Sequence, residues 1–106
     1  MTQDQETFAL PDMRAAASRA CALLKALGNP DRLLLLCQLT QGEFRVGELE
    51  SVLGIQQPTL SQQLGVLREE QLVETRREGK QIYYRLASKE ARAVLDVLYQ
   101  QFCHKP

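Results

Sequence analysis

The sequence predicts a mainly α-helical domain with one β-hairpin near its end. Three observations lead there. Apolar residues recur at helical spacing through most of the chain. Two short segments of that kind follow one another closely in mid-chain, and the second is polar on its outer side. From Leu72 the residue types turn strand-like, on both sides of a glycine that can make a tight turn. The predicted order is ααααββα, with residues 1–12 as a flexible N-terminal tail and 13–106 as one domain.

The first helix is expected from Met13 to Leu27, with Ala16, Ala20, Leu23, Leu24 and Leu27 on one stripe and Asp12 as its cap. Gly28, Asn29 and Pro30 stop it and start the next: Gly suits a left-handed end, Asn a cap, and Pro a first turn. The second helix runs from Pro30 to about Leu39, and its apolar run Leu33 to Cys37 reads as the centre of the core. Gly42 breaks the pattern. A third helix over Val46–Leu53 turns Val46, Leu49 and Val52 or Leu53 inward and ends at Gly54. A fourth starts at Pro58 and reaches about Glu70, burying Leu60, Leu64 and Leu67. The short connection between these two helices is that of a helix-turn-helix. Leu72–Arg77 and Gln81–Leu86 read as strands joined through Glu78, Gly79 and Lys80; of Tyr83 and Tyr84, which fall on opposite faces, one belongs to the core. A hairpin after a helix-turn-helix reads as a wing. Ser88 caps a last helix to about Phe102, with Ala91, Val94 or Leu95, Leu98 and Phe102 on its apolar face. The fold expected is therefore a winged helix-turn-helix.

The 106 residues suit one small domain that gains from an oligomer interface, and the apolar terminal helices suit a homodimer joined through the first and last helices. The N-terminal ten residues are acidic and polar, unlike a signal peptide, and no apolar run is long enough to span a membrane, so a cytoplasmic location is expected. Thirteen basic and thirteen acidic side chains cancel, which by itself argues weakly against nucleic acid; the distribution matters more, and Arg76, Arg77, Lys80 and Arg85 crowd together. No CxxC pair, glycine-rich phosphate loop or paired carboxylate motif points to an enzyme or to a cofactor.

The fourth helix offers Gln57, Thr59, Ser61, Gln62 and Gln63 near its start, groups able to pair with base edges in a major groove. Arg76, Arg77 and Lys80 at the hairpin can reach phosphates, and Arg68 can touch the backbone or pair with a nearby acid. Read residue by residue, a solvated amphipathic helix and an ordinary charged turn stay open beside DNA contact. Cys37 lies in an apolar helix, where cysteine often serves as a small hydrophobe, whereas Cys103 stands near the basic end of the chain beside His104 and Lys105. Cys21 is expected to serve packing or an interface. A protein-binding module without DNA activity is the alternative of another class.

The stretches "LLKALGNPDRLLLLCQL" and "VGELESVLGIQQPTLSQQLGVLREEQLVETRREGKQIYYRL", with the terminal helix, resemble the ArsR-type bacterial repressors over about residues 13 to 102. Within that family the chain is most similar to the persulfide-sensing branch of the biofilm growth-associated repressors. The resemblance implies dimers joined through the first and last helices and binding to a palindromic operator of double-stranded DNA. It also implies a cysteine pair, here Cys37 and Cys103, that reactive sulfur species or oxidants link so that DNA is released. The genes so controlled would serve sulfide detoxification. A metal- or metalloid-responsive member is the alternative, but "VGELESVL" holds no cysteine and His104 is the single histidine, so no metal ligands are assigned. Two positions depart from the family pattern: Arg45 stands where a Ser or Thr cap is usual, and Gln71 where Gly is usual.

Overall fold

The computed structural model describes residues 9–103. Its elements are α1 (Leu10–Leu27), α2 (Pro30–Leu39), β1 (Phe44–Arg45), α3 (Val46–Leu53), α4 (Thr59–Glu69), β2 (Val73–Glu78), β3 (Gln81–Leu86) and α5 (Lys89–Phe102). The expected tail falls mostly outside the described residues. Its last part, from Leu10, is already helical: Pro11 occupies the first turn, Ala9 is the flanking residue, and no side chain caps the helix. Asp12 is therefore inside α1, where its charge faces the positive end of the helix, and is not the cap.

The boundaries of α2 and α3 follow local chemistry. The Asn29 side chain accepts a hydrogen bond from the Arg32 backbone N–H at 3.0 Å, the N-cap the Asn-Pro pair predicts. Gly28 departs from expectation, with φ −80° and no left-handed turn. Gly54 ends α3 at φ 71°, a left-handed position that glycine takes without a Cβ penalty. At the end of α4 the same left-handed role falls to Gln71 (φ 63°), and the Leu72 N–H reaches back to the Leu67 carbonyl at 2.9 Å. Ser88 caps α5 through the Ala91 N–H at 3.0 Å.

Leucine fills the core. The largest fully buried side chains are Leu35, Leu36 and Leu39 of α2, Leu49 of α3, Leu60, Leu64 and Leu67 of α4, and Leu95 of α5. α2 is the hub, packing against α1, α3, α4 and β3. The run Leu33 to Cys37 is not uniformly buried: Leu35 and Leu36 are sealed, Leu33 and Cys37 flank the core, and Leu34 is 48% exposed. On α3, Leu53 packs inward and Val52 faces out.

The sheet has three strands in the order β1-β3-β2, so the predicted hairpin carries a third strand. Phe44 pairs with Tyr84 and Arg45 with Tyr83, while β2 and β3 pair from Val73–Leu86 to Glu78–Gln81. The turn is thereby reduced to Gly79 and Lys80, with Gly79 at φ 62°. Alternation places Val73, Thr75, Arg77, Ile82, Tyr84 and Leu86 on one face. Val73 is buried and Tyr84 packs on the core. Glu74, Arg76, Glu78, Tyr83 and Arg85 share the other face. No helix among the described residues is long and apolar enough to cross a membrane.

Candidate nucleic-acid interface and thiol pair

The buried stripe of α4 fixes which residues it shows outward. With Leu60, Leu64 and Leu67 held in the core, Ser61, Gln62, Gly65 and Arg68 are exposed, Thr59 is half-buried, and Gln57 stands exposed just before the helix. Gln57 and Ser61 are joined: Gln57 Oε1 accepts from the Ser61 hydroxyl at 2.6 Å and from its backbone N–H at 3.2 Å. This side-chain link supplies the start of α4 with an acceptor that Pro58, at the N-cap, does not provide. Gln62 makes no such side-chain contact among the described residues.

Gln63 sits differently. It is half-buried on the flank of α4, and its Oε1 accepts from Arg32 Nη1 at 3.0 Å. Arg32 also donates to the carbonyls of Ala26 (2.7 Å) and Lys25 (3.1 Å), the last turn of α1. Sequence reasoning missed Arg32. Its partners lie in other helices, and the only local hint is a basic residue in the first turn of a helix that follows closely on another.

The hairpin divides its charges. Arg76 is bound into a surface network: it makes ion pairs with Glu43 at 2.9 Å and Glu78 at 3.0 Å, and its guanidinium lies 4.5 Å over the Tyr83 ring. Arg85 joins the network through Glu74 and Glu43. The paired carboxylates hold Arg76 above the ordinary arginine range. Arg77 and Lys80, on the tip, and Arg68, near the end of α4, have no acidic partner among the described residues. Of the basic residues expected to meet phosphate, Arg76 is therefore the one already neutralised. Glu43, which shares that role with Glu78, carries no local signal in the sequence.

At the start of α3, Arg45 does not replace the usual cap. Its side chain has no acceptor, but Glu48 Oε1 accepts from the Arg45 backbone N–H at 2.8 Å, one half of a capping box. That bond, with the Arg45 guanidinium nearby, holds the Glu48 carboxyl below the usual carboxylate range.

Cys37 and Cys103 are both free thiols, one half-buried on α2 and one exposed just past α5. Burial pushes the Cys37 thiol up, and the charge of Cys103 pushes it further the same way. Sixty-odd residues separate the two thiols along the chain. Cys21 lies exposed on α1. Among the described residues no group of three or more His, Cys, Asp or Glu side chains is placed to hold a metal ion; His104 lies outside them.

Residues 29–75, which span α2 through the first strand of the hairpin, match the family described as bacterial regulatory protein, arsR family. The biofilm growth-associated repressor of Agrobacterium fabrum (strain C58) is 58% identical over 94 residues, covering 89% of this chain and 80% of that one. The chain belongs to the ArsR family. This ArsR-family regulator is also 56% identical over 92 residues to the biofilm growth-associated repressor of Xylella fastidiosa (strain Temecula1), covering 87% of this chain and 81% of the other. Its fold matches the crystal structure of the transcriptional repressor BigR from Xylella fastidiosa with a TM-score of 0.83 at 54% identity, over 92% of this chain and 99% of that chain. Reduced HlyU from Vibrio cholerae N16961 matches with a TM-score of 0.84 at 41% identity, over 90% and 100%. The ArsR-family regulator is thus a winged helix-turn-helix transcription regulator in the branch of the biofilm growth-associated repressors, among non-catalytic DNA-binding proteins.

Proposed function

We propose that this chain is a homodimeric repressor that binds a palindromic operator and releases it when reactive sulfur species link Cys37 to Cys103. The observation that carries the reading is that both thiols are free, one half-buried on α2 and one exposed just past α5, in a chain 58% identical to a biofilm growth-associated repressor. The similarity to repressors of the same branch supports the rest. Sulfide-detoxification genes are the proposed targets.

Two recognition helices related by a two-fold axis meet successive major grooves one DNA turn apart. Gln62 and Thr59 lie where α4 enters the groove, while Arg77, Lys80 and Arg68 anchor phosphates. The proposed interface is α1 with α5. Both helices carry large apolar side chains that their own domain leaves uncovered: Leu10, Met13 and Leu24 (60% exposed) on α1, and Val97, Tyr99 and Phe102 (80% exposed) on α5.

The switch begins at Cys103, which is exposed; burial raises the Cys37 thiol, so Cys37 reacts second. The Cys103 thiolate attacks the sulfane sulfur of an organic persulfide and displaces the organic thiol, leaving a protein persulfide. Cys37 does the same with a second persulfide molecule. One protein persulfide then attacks the inner sulfur of the other and expels hydrosulfide. Two protein thiols and two organic persulfides thereby give a trisulfide bridge, two organic thiols and one hydrogen sulfide; the two electrons lost by the protein leave on the hydrosulfide sulfur. The bridge ties α2, the hub that supports α4, to the end of the proposed dimer helix.

The test combines intact-mass analysis with DNA binding followed by fluorescence anisotropy, before and after an organic persulfide donor. Wild type should gain one sulfur atom bridging Cys37 and Cys103 and lose affinity by roughly 5–150-fold, the range of an ordinary allosteric coupling. Cys37→Ser and Cys103→Ser should bind DNA normally and fail to release it. Release by either serine variant refutes the cysteine pair as the sensor.

A further inference from the structure

We infer that Arg32 is a positioning residue for the recognition helix, locking the angle between α1 and α4 through the Gln63 side chain. One guanidinium joins three helices. It stands on the first turn of α2, donates from Nε and Nη2 to the carbonyls of Ala26 and Lys25 at the end of α1, and donates from Nη1 to Gln63 Oε1 on α4. These bonds reach six, seven and thirty-one residues along the chain.

Arginine suits this post for physical reasons. Its donors are fixed in one plane, so binding acceptors on both edges sets orientation as well as distance. The carbonyls at the end of a helix lack intrahelical partners and carry partial negative charge, which favours a cation there. At the α1 terminus Gly28 does not adopt the left-handed cap and its N–H reaches the Lys25 carbonyl at 3.2 Å, so Arg32 adds a second donor there and a donor for Ala26. The bond to Gln63 is not needed for that purpose, and it spends the acceptor of a glutamine neighbouring Gln62, one turn beyond Thr59. α2 packs against both α1 and α4, and to that packing the Arg32 guanidinium adds a hydrogen-bonded link from the end of α1 to the polar side of α4. A small tilt of α4 would move Gln62 and Thr59 relative to base edges, whose hydrogen bonds tolerate only tenths of an ångström.

This inference rests on the reading that α4 enters the operator. It changes the role of Gln63 from base reader to tether. Gln63→Glu keeps an oxygen acceptor for Arg32 and loses the amide donor, whereas Gln63→Leu loses both. Arg32→Lys keeps the charge and loses the planar fork.

The experiment uses the full-length protein and a duplex enriched by wild type from a random-sequence pool, with a scrambled duplex as reference. Binding is followed by anisotropy at one salt concentration, and thermal unfolding is recorded for each variant. The quantity compared is the ratio of affinities for the two duplexes, in which a uniform effect of added charge cancels. Gln63→Leu should lower the ratio about tenfold, the equivalent of one hydrogen bond to a charged group. Gln63→Glu should keep it within about twofold of wild type by the same logic. Arg32→Lys with Gln63→Leu should lose no more than Arg32→Lys alone, since a shared function is lost once. Equal loss in Gln63→Glu and Gln63→Leu, or losses that multiply in the double variant, would make Gln63 a direct reader and overturn the proposal. The two Gln63 variants decide the matter even if Arg32→Lys does not fold. A wild-type protein that enriches no duplex refutes operator reading itself, and the proposal with it.

Discussion

Replacing Gln71 by glycine should make this protein more stable, although the substitution removes a side chain. Gln71 closes α4 at φ 63°, with its N–H on the Arg68 carbonyl at 3.0 Å and the Leu72 N–H on the Leu67 carbonyl. A residue with a Cβ in that region carries a penalty of roughly 1–2 kcal/mol. Glycine removes it but gives the unfolded chain more freedom, which offsets about 0.4–1 kcal/mol. The Gln71 side chain is exposed and makes no hydrogen bond among the described contacts, so little else is lost. The expected net gain is about 0.5–1 kcal/mol from the difference of these two effects. For a domain this small that is a rise of a few degrees, on the order of 2–8 °C, in Tm. Reversible urea unfolding at one fixed protein concentration measures it, since a dimer's stability depends on concentration. Gln71→Ala, which keeps a Cβ, serves as control and should show no gain. If Gln71→Gly is no more stable than Gln71→Ala, the left-handed backbone is not what limits this turn.

Three further outcomes follow from the geometry. Asn29→Ala removes the side-chain acceptor for the Arg32 N–H and should cost about 0.5–2 kcal/mol in urea unfolding, with an unchanged m-value. Arg77→Ala should reduce the dependence of log affinity on log salt by at most about one unit, while Arg76→Ala, already balanced by Glu43 and Glu78, should leave that slope as it is; salt titrations on one duplex separate them. Alkylation of Cys37 in the folded protein should have its pH midpoint above that of the urea-unfolded chain. Cys103→Ser should bring the midpoint down part of the way, because burial, the larger cause, persists; a midpoint that does not fall would contradict the pairing of the two thiols. The sign for stability is the same: a raised Cys37 favours the fold while the thiol stays protonated, and that contribution is lost as pH rises through its folded value.

What could be read in advance depended on how local the cause was. Asn29 with Pro30 marks a helix start, Gly54 a helix end, and Leu60, Leu64 and Leu67 a buried stripe, each a cue confined to the element it marks. Their positions were accordingly legible. β1 was not, since two residues carry no period and Phe44–Arg45 becomes a strand only through Tyr83 and Tyr84. The same holds for the site. Polar residues on α4 and bases on the hairpin stand out in the sequence. That Arg76 is tied to Glu43, or Gln63 to Arg32, depends on partners thirty-odd residues away. The start of α1 went wrong for a local reason: an acidic residue in the first turn resembles a cap, and Pro11 allowed the helix to begin before it.

In the order β1-β3-β2 the outer sides of β1 and of β2 are unpaired, and β3 is unpaired on one side at Gln81 and Ile82, beyond the end of β1. Open backbone borders invite strands from other molecules, and Ile82 is partly exposed next to one of them. The charges of Glu74, Arg76, Arg77, Glu78 and Lys80 make such docking unfavourable, because a strand added there would have to desolvate several of them at once. The ionic network on the hairpin thus has a colloidal consequence apart from DNA: it keeps a projecting two-stranded arm from becoming the seed of a larger sheet when the protein is crowded or partly unfolded.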